Sequence, residues 1–244
     1  MRQDILRKKV LVVAAHPDDE VLGCGATIAK HTHQGDQVVL VLVADGVSSR
    51  TYDPMEPLSR EKELSVHAQA IQRRNQEAHR AAGILGVQQD DVHLLNLADQ
   101  RLDAYPLLDI IKHIEKIKDG LQPSVVYTHF WGDLNLDHQI VCRAVLTAFR
   151  PGLSGHTIDL LHFEVPESTY LSLPLGAKAF VPNHYVEVRE TFHLKLKALE
   201  AYESEARIYP HCRSVQFIEE LGAKRGQESH VPLAEAFVRL PANP

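Results

Sequence analysis

Apolar residues fall in short blocks along this chain, separated by polar segments punctuated by glycine and proline. Lys9–Ala15 and Gln37–Ala44 are continuous apolar runs without alternation. That is the pattern of strands covered on both faces of a parallel sheet. Between them, Val21–Gln34 mixes Leu22, Ala26, Ile28 and Ala29 with small residues. Acidic residues precede it and Gly35 follows it, which predicts a helix. Residues 9–44 thus predict one β-α-β unit with a right-handed crossover. Asp45–Pro57, broken by Gly46, Pro54 and Pro57, reads as a loop at the carboxyl end of the second strand. Ser59 is expected to cap a helix running to about Leu85 and stopping at Gly86. Asp91–Leu95 predicts a third strand and Asp99–Asp103 a loop. Tyr105–Asp119 predicts a helix, with Leu108, Ile111, Ile114 and Ile117 near helical spacing and Gly120 as its stop. Ser124–Thr128 predicts a fourth strand, His129–Asp137 a polar loop, and His138–Phe149 a helix ended by Arg150-Pro151-Gly152.

The last third is less regular. Ile158–Phe163 and Tyr185–Val188 read as strands and Thr191–Tyr202 as a helix. No linker rich in Pro, Gly or Ser divides the chain. The fold class is α/β: residues 1–244 predict a single domain with a Rossmann-like, mostly parallel sheet flanked by helices, completed by the irregular C-terminal third. In such sheets ligands bind at the carboxyl ends of the strands.

Composition narrows the function classes. A net charge of −6 lacks the basic surplus of a nucleic-acid binder. The longest apolar stretches, Val10–Ala15 and Val38–Ala44, fall far short of the ~18 residues of a membrane span. No apolar leader follows Met1-Arg2-Gln3-Asp4, and three widely spaced cysteines suit a reducing cytoplasm better than a disulfide scaffold.

Histidine stands out: 15 residues against 3 cysteines, in a chain where one to three are expected to matter. His16-Pro17-Asp18-Asp19-Glu20 follows the first strand, so its side chains face the expected site. His16 and Asp19, three apart in a turn, can converge on one ion, with Asp18 beside them. The bland alternative is an acidic helix start complementing the dipole. The second informative stretch, Thr128–His138, follows the fourth strand and brings His129, Asp133, Asn135, Asp137 and His138 to the same edge. Together the loops offer His16, Asp19 and one further histidine. That is a three-ligand site with an open position, as catalytic zinc prefers.

On these residues the chain resembles the PIG-L/LmbE-like family of zinc-dependent N-deacetylases. The resemblance is carried by Ala15-His-Pro-Asp-Asp-Glu20 after a buried strand and by Asn135-Leu-Asp-His138. Arg74-Asn-Gln-Glu-Ala78 in the intervening helix reinforces it. It is good over residues 9–150; Tyr209–Ser214 and Ala234–Phe237 are similar to a bacterial amino-sugar deacetylase subgroup, less specifically. The resemblance implies a Rossmann-like fold and zinc on His16, Asp19 and His138. It makes Asp18 the general base, Asp137 a group orienting a neighbouring side chain, and Arg74 a substrate or intermediate contact. It also implies an N-acetylated sugar as substrate and, by analogy, a homo-oligomer. One position departs: many members carry histidine where this chain has Asn135. Asparagine can donate a hydrogen bond to an oxyanion but delivers no proton at neutral pH. Protonation of the leaving amine is then open between Asp18, His211 and His129.

Weaker signals surround these. Arg50, at the carboxyl end of the second strand, and His211 and Arg213, in a loop matching the subgroup, are candidate substrate contacts. Asp99-Gln100-Arg101 holds a similar edge position. Gly23-Cys24-Gly25 lacks the third glycine of a dinucleotide fingerprint, because position 28 is Ile, and reads as close helix packing. A non-hydrolytic Rossmann-type nucleotide-binding protein is the alternative reading, and the missing fingerprint counts against it. A Mg²⁺-dependent phosphoryl-transfer site on Asp18 and Asp19 is a third reading, disfavoured by two histidines.

Overall fold

The computed structural model describes residues 7–51, 55, 59–150, 157–171 and 179–240. The two apolar runs form β1 (Lys9–Ala14) and β2 (Gln37–Ala44), joined by α1 (Asp19–His33). They pair in parallel, with Val12 opposite Leu40. The other side of β1 pairs in parallel with β4 (Val125–His129), so that Val12 also faces Tyr127. β3 (Val92–Leu97) lies outside β2, and β5 (Asp159–Phe163) lies beside β4, both parallel. The four-residue helix α5 (Ser168–Leu171) follows β5.

The last third completes the sheet in an order the pattern does not show. β6 (His184–Glu187) comes first in the chain but stands at the edge. β7 (Ala234–Arg239) inserts antiparallel between β5 and β6, giving the order β3-β2-β1-β4-β5-β7-β6. β7 has a residue pattern, AEAFVR, that reads as strand only once Glu235 has a buried partner. α7 (Val215–Ser229) is a further helix absent from the sequence expectation; its surface is largely polar, and only Ile218, Gly222, Arg225 and Gly226 are buried.

Both faces of the central strands are covered, as continuous apolar runs require. Val10, Val12 and Ala14 pack toward α1, α2 (Arg60–Ile84) and α6 (Phe192–Glu200). Leu11 and Val13 pack toward α3 (Leu107–Leu121) and α4 (Leu136–Ala148). Boundaries follow local chemistry. Ser59 caps α2, accepting from the Lys62 amide. α3 runs through Gly120 and ends at Gln122, whose left-handed φ of 55° closes the helix, so Gly120 is not the stop. α4 begins two residues early because Asn135 caps it. Pro54, Pro57, Pro151-Gly152 and the first six residues lie outside the described residues.

α1 is kinked at Cys24 (φ −147°, ψ 24°). The backbone groups freed there meet a buried ion pair. Lys195 Nζ donates to the Leu22 carbonyl at 2.8 Å, and Glu235 accepts from the Ala26 and Thr27 amides at 3.1 and 2.7 Å. Gly23 belongs to the same packing: a Cβ there would stand 2.3 Å from the Phe163 ring. Gly23 thus serves close approach of α1 to β5 and Gly25 its approach to Lys195, where a Cβ would stand 3.2 Å from Cγ, so both serve packing.

Candidate metal centre

β1 and β4 are neighbours at the point where the order of strands reverses direction, so the loops leaving their carboxyl ends face each other. The first loop carries His16–Asp18, and Asp18 holds a φ of 118°. A non-glycine residue adopts that conformation only where its surroundings enforce it. They do: the Asp18 amide donates to Glu20 Oε2 at 3.1 Å, and Glu20 Oε1 accepts from the Tyr202 hydroxyl at 2.5 Å. Arg74, 2% exposed, braces the preceding residue by donating to the Pro17 carbonyl at 3.2 Å. Asp18 makes no helix-capping bond, so it is not an ordinary acidic helix start.

His16, Asp19 and His138 converge. Asp19 Oδ2 lies 3.1 Å from His16 Nδ1 and 3.1 Å from His138 Nε2, and the two nitrogens are 3.3 Å apart. A tetrahedral ion with ligand bonds of about 2.0–2.1 Å has donor–donor edges of roughly 3.3 Å, so the triangle has the size of one face of a zinc coordination sphere. The far nitrogen of each imidazole meets a carboxylate. His16 Nε2 is 3.1 Å from both Asp137 Oδ2 and Asp99 Oδ1, and His138 Nδ1 is 3.2 Å from Asp133 Oδ1. This fixes the ring protons outward and turns the lone pairs inward, the arrangement of metal-bound histidines. The carboxylates are themselves held. Asp137 accepts from the Gln100 and Leu102 amides, and Asp133 from the Asn135 amide and the Ser168 and Thr169 hydroxyls. The donor set therefore fits a divalent cation.

The electrostatics agree. Burial alone would lower both histidines, but surrounding carboxylates reverse it: His16 is raised by Asp137, Asp19 and Asp99, and His138 is pushed up to about 9 by Asp19 and Asp133. Burial would raise Asp19, yet the histidines hold it well below the usual carboxylate range. A cation in the triangle supplies the same positive charge. Asp18 differs from its neighbour. Burial raises it to about 6 against the pull of Arg213, whose Nη1 is 3.0 Å from Asp18 Oδ2.

The remaining candidates are spread around this core. Arg50 and Arg74 both donate to Glu205 Oε1, Arg213 Nη1 lies 3.2 Å from Glu205 Oε2 and Arg207 Nη2 3.6 Å from it, so four guanidiniums surround one carboxylate. Arg213 also reaches Glu167 at 3.2 Å. His211 sits one turn away and accepts the Arg213 amide on Nδ1 at 3.1 Å. Asn135 Oδ1 accepts the Asp137 amide at 2.9 Å, which leaves its NH₂ arm as the donor. His129 is fully buried, and its Nε2 accepts the Ala15 amide at 2.8 Å. Its ring stacks on His138 at 3.9 Å, and burial, with His138, keeps it neutral. It is a packing partner for a ligand, with no proton to give at Nε2.

Sequence reasoning weighed Asp99 only as an edge residue and named Asp133 only among polar groups. It did not find Glu205, Tyr202, Ser168 or Thr169. The last four belong to the irregular third, where no motif marks them.

Comparison with known proteins agrees with the site. Residues 11–149 match the family model "PIG-L: GlcNAc-PI de-N-acetylase". The chain is 33% identical over 205 residues to an uncharacterised deacetylase, YaiS, of Escherichia coli (strain K12), covering 81% of this chain and 92% of that one. It is 29% identical over 217 residues to a diacetylchitobiose deacetylase of Thermococcus kodakarensis, covering 81% and 70%. Among solved structures, the 4-carboxy-2-hydroxymuconate hydratase GalB from Pseudomonas putida KT2440 superposes with a TM-score of 0.72 at 19% identity, covering 97% and 98%. At that identity the likeness is one of fold, and it joins proteins of different reactions. The family model extends through both loops that build the triangle, and the chain belongs to the PIG-L family.

Proposed function

We propose that this chain is a zinc-dependent hydrolase that removes the N-acetyl group from an amino sugar, releasing acetate and a free amine. Residues 1–244 are taken as one deacetylase domain. The observation that carries the reading is the closed triangle of His16, Asp19 and His138 with the buried carboxylate of Asp18 beside it. The diacetylchitobiose deacetylase relative supports an N-acetylated sugar as the substrate class.

His16, Asp19 and His138 would hold the ion. Zinc there supplies Lewis acidity, acidifying water and polarising the amide carbonyl. Asp18, raised to about 6, is basic enough to accept a proton near neutral pH and acidic enough to return it. With His129 neutral and its Nε2 engaged, Asp18 is the group that receives the proton from water and delivers it to the leaving nitrogen. The Asn135 NH₂ arm donates to the developing oxyanion. Asp137, with Asp99, orients His16. Arg213 sets the charge beside Asp18, and Arg50 and His211 contact the sugar or its substituent; Arg74, expected there as a substrate contact, is instead buried and holds Pro17 and Glu205 in place. No described helix is long and apolar enough to cross a membrane. Free Cys24, Cys142 and Cys212 suit a reducing cytoplasm.

The test is an acetate-release screen over N-acetylated sugars, their glycosides and sugar nucleotides, with and without zinc. Activity should need about one zinc per chain. Asp18→Asn should lower turnover by roughly 10²–10⁴-fold with zinc retained. Loss of zinc from that variant would make Asp18 a ligand and overturn its role; no activity at any metal level would sink the deacetylase reading.

A further inference from the structure

We propose that Glu167, His211 and Cys212 form a second site for a divalent cation of zinc's class, and that filling it inhibits the enzyme by withdrawing Glu167 from Arg213. The three residues are half-exposed, touch none of the three inner ligands, and can offer a carboxylate oxygen, an imidazole nitrogen and a thiolate within 4.8 Å of one another. Cys212 Sγ lies 3.9 Å from Glu167 Oε2 and 3.8 Å from His211 Nδ1. A tetrahedral zinc with a sulfur bond of about 2.3 Å and nitrogen or oxygen bonds of about 2.0–2.1 Å has sulfur edges of roughly 3.5–3.6 Å, so those two edges need close by only tenths of an ångström, while the third lies within 4.8 Å.

The donors are prepared for a soft or borderline ion. His211 Nδ1 accepts the Arg213 amide, so it is the unprotonated nitrogen of the ring. A cation would compete only with one backbone donor on a half-exposed loop. Burial and the Glu167 charge raise the Cys212 thiol, and an ion at the sulfur reverses this, because a coordinating thiol loses its proton. The set of carboxylate, imidazole and thiolate selects zinc or cadmium over magnesium or calcium.

The site is wired to the catalytic residues through one side chain. Glu167 Oε2 faces both Cys212 Sγ and Arg213 Nε, the latter at 3.2 Å. That oxygen cannot serve a cation and the guanidinium together. Arg213 Nη1 in turn lies 3.0 Å from Asp18. A cation on Glu167 removes one of the three carboxylates that hold Arg213 and places positive charge against it. The guanidinium is pushed from its place, and Asp18 loses its ion-pair partner at 3.0 Å. This inhibitory half rests on the deacetylase reading; the binding half does not.

Zinc-loaded protein should be titrated with Cd²⁺ while the ultraviolet sulfur-to-cadmium charge-transfer band is recorded. Cys24 and Cys142 are buried and the inner triangle contains no sulfur, so the band reports Cys212. The expected result is a saturable band in the parent chain and none in Cys212→Ala. Glu167→Gln should show at least about tenfold weaker binding, since loss of even an outer partner of a ligand costs about 10–100-fold. After equilibration with excess zinc, metal analysis should find a second equivalent in the parent but not in Cys212→Ala. Acetate release should fall with that equivalent in the parent only. Absence of the band, or a band unshifted by Glu167→Gln, would overturn the site. A second equivalent with undiminished acetate release would overturn the inhibition. Absence of acetate release at every metal level would instead fail the deacetylase reading, with band and stoichiometry still deciding the site.

Discussion

His162 on β5 is completely buried, and its two ring nitrogens have unequal surroundings. Nδ1 donates to the His129 carbonyl at 2.7 Å, which anchors the end of β4 where the metal loop begins. Nε2 has no partner among the described residues. Protonation would place a cation on that nitrogen with nothing to receive its hydrogen, and burial lowers the group from 6.5 to about 4. Because the folded value lies below the unfolded one, the unfolded chain takes up this proton first as pH falls. The stabilisation from a neutral His162 is complete above the unfolded value and fades toward the folded one. Those two values give a loss of about 2 kcal/mol between pH 8 and pH 5 from this residue alone. His162→Asn retains a donor near the Nδ1 position, cannot titrate, and should cost roughly 1–2 kcal/mol at pH 8 through lost ring volume. Urea unfolding of both chains across this range provides the measurement, and titrations common to the two cancel in the difference. The parent's advantage over the variant should shrink by about 2 kcal/mol toward pH 5. Parallel curves with a constant offset would refute the idea that His162 is held neutral by burial.

Other perturbations probe the packing that places the site. Glu235→Leu strands Lys195 and two amides of the kinked α1, and should cost about 3–5 kcal/mol in denaturant unfolding. A cost below 1 kcal/mol would mean that the kink does not depend on the pair. Gly23→Ala drives a methyl into Phe163 and should cost about 1–3 kcal/mol, read from a lowered Tm; an unchanged Tm would show that the ring yields freely. Asn135→Ala removes the α4 cap, costing about 0.5–2 kcal/mol, and should also slow acetate release. Unchanged turnover would remove Asn135 from the oxyanion.

Much of the centre was legible in the residues. Apolar runs without alternation identified β1 and β2, because only strands buried on both faces dispense with polar positions. His16 and Asp19 were legible because a strand end followed at once by His-Pro-Asp-Asp points those side chains at the sheet edge; the residues left the third histidine open, and only the family resemblance singled out His138. Asp99 and Glu205 were not. Asp99 reaches His16 across the sheet edge from the end of β3, and Glu205 meets Arg74 across about half the chain, and neither pairing leaves a local pattern. His129 shows the opposite case. Its place in the motif left it open as a proton donor, and only the structure shows the Ala15 amide on its Nε2 and the stacked His138.

The sequence by itself determined the element types in the first two thirds and the placing of His16 and Asp19 at a strand end, since hydrophobic period and turn chemistry act over a few residues. The tertiary structure alone decided the insertion of β7 between β5 and β6, the carboxylate behind each histidine, and the sharing of Arg213 among Asp18, Glu205 and Glu167. Those depend on groups far apart in the chain whose interaction exists only after burial has removed water from between them, so no local periodicity records them.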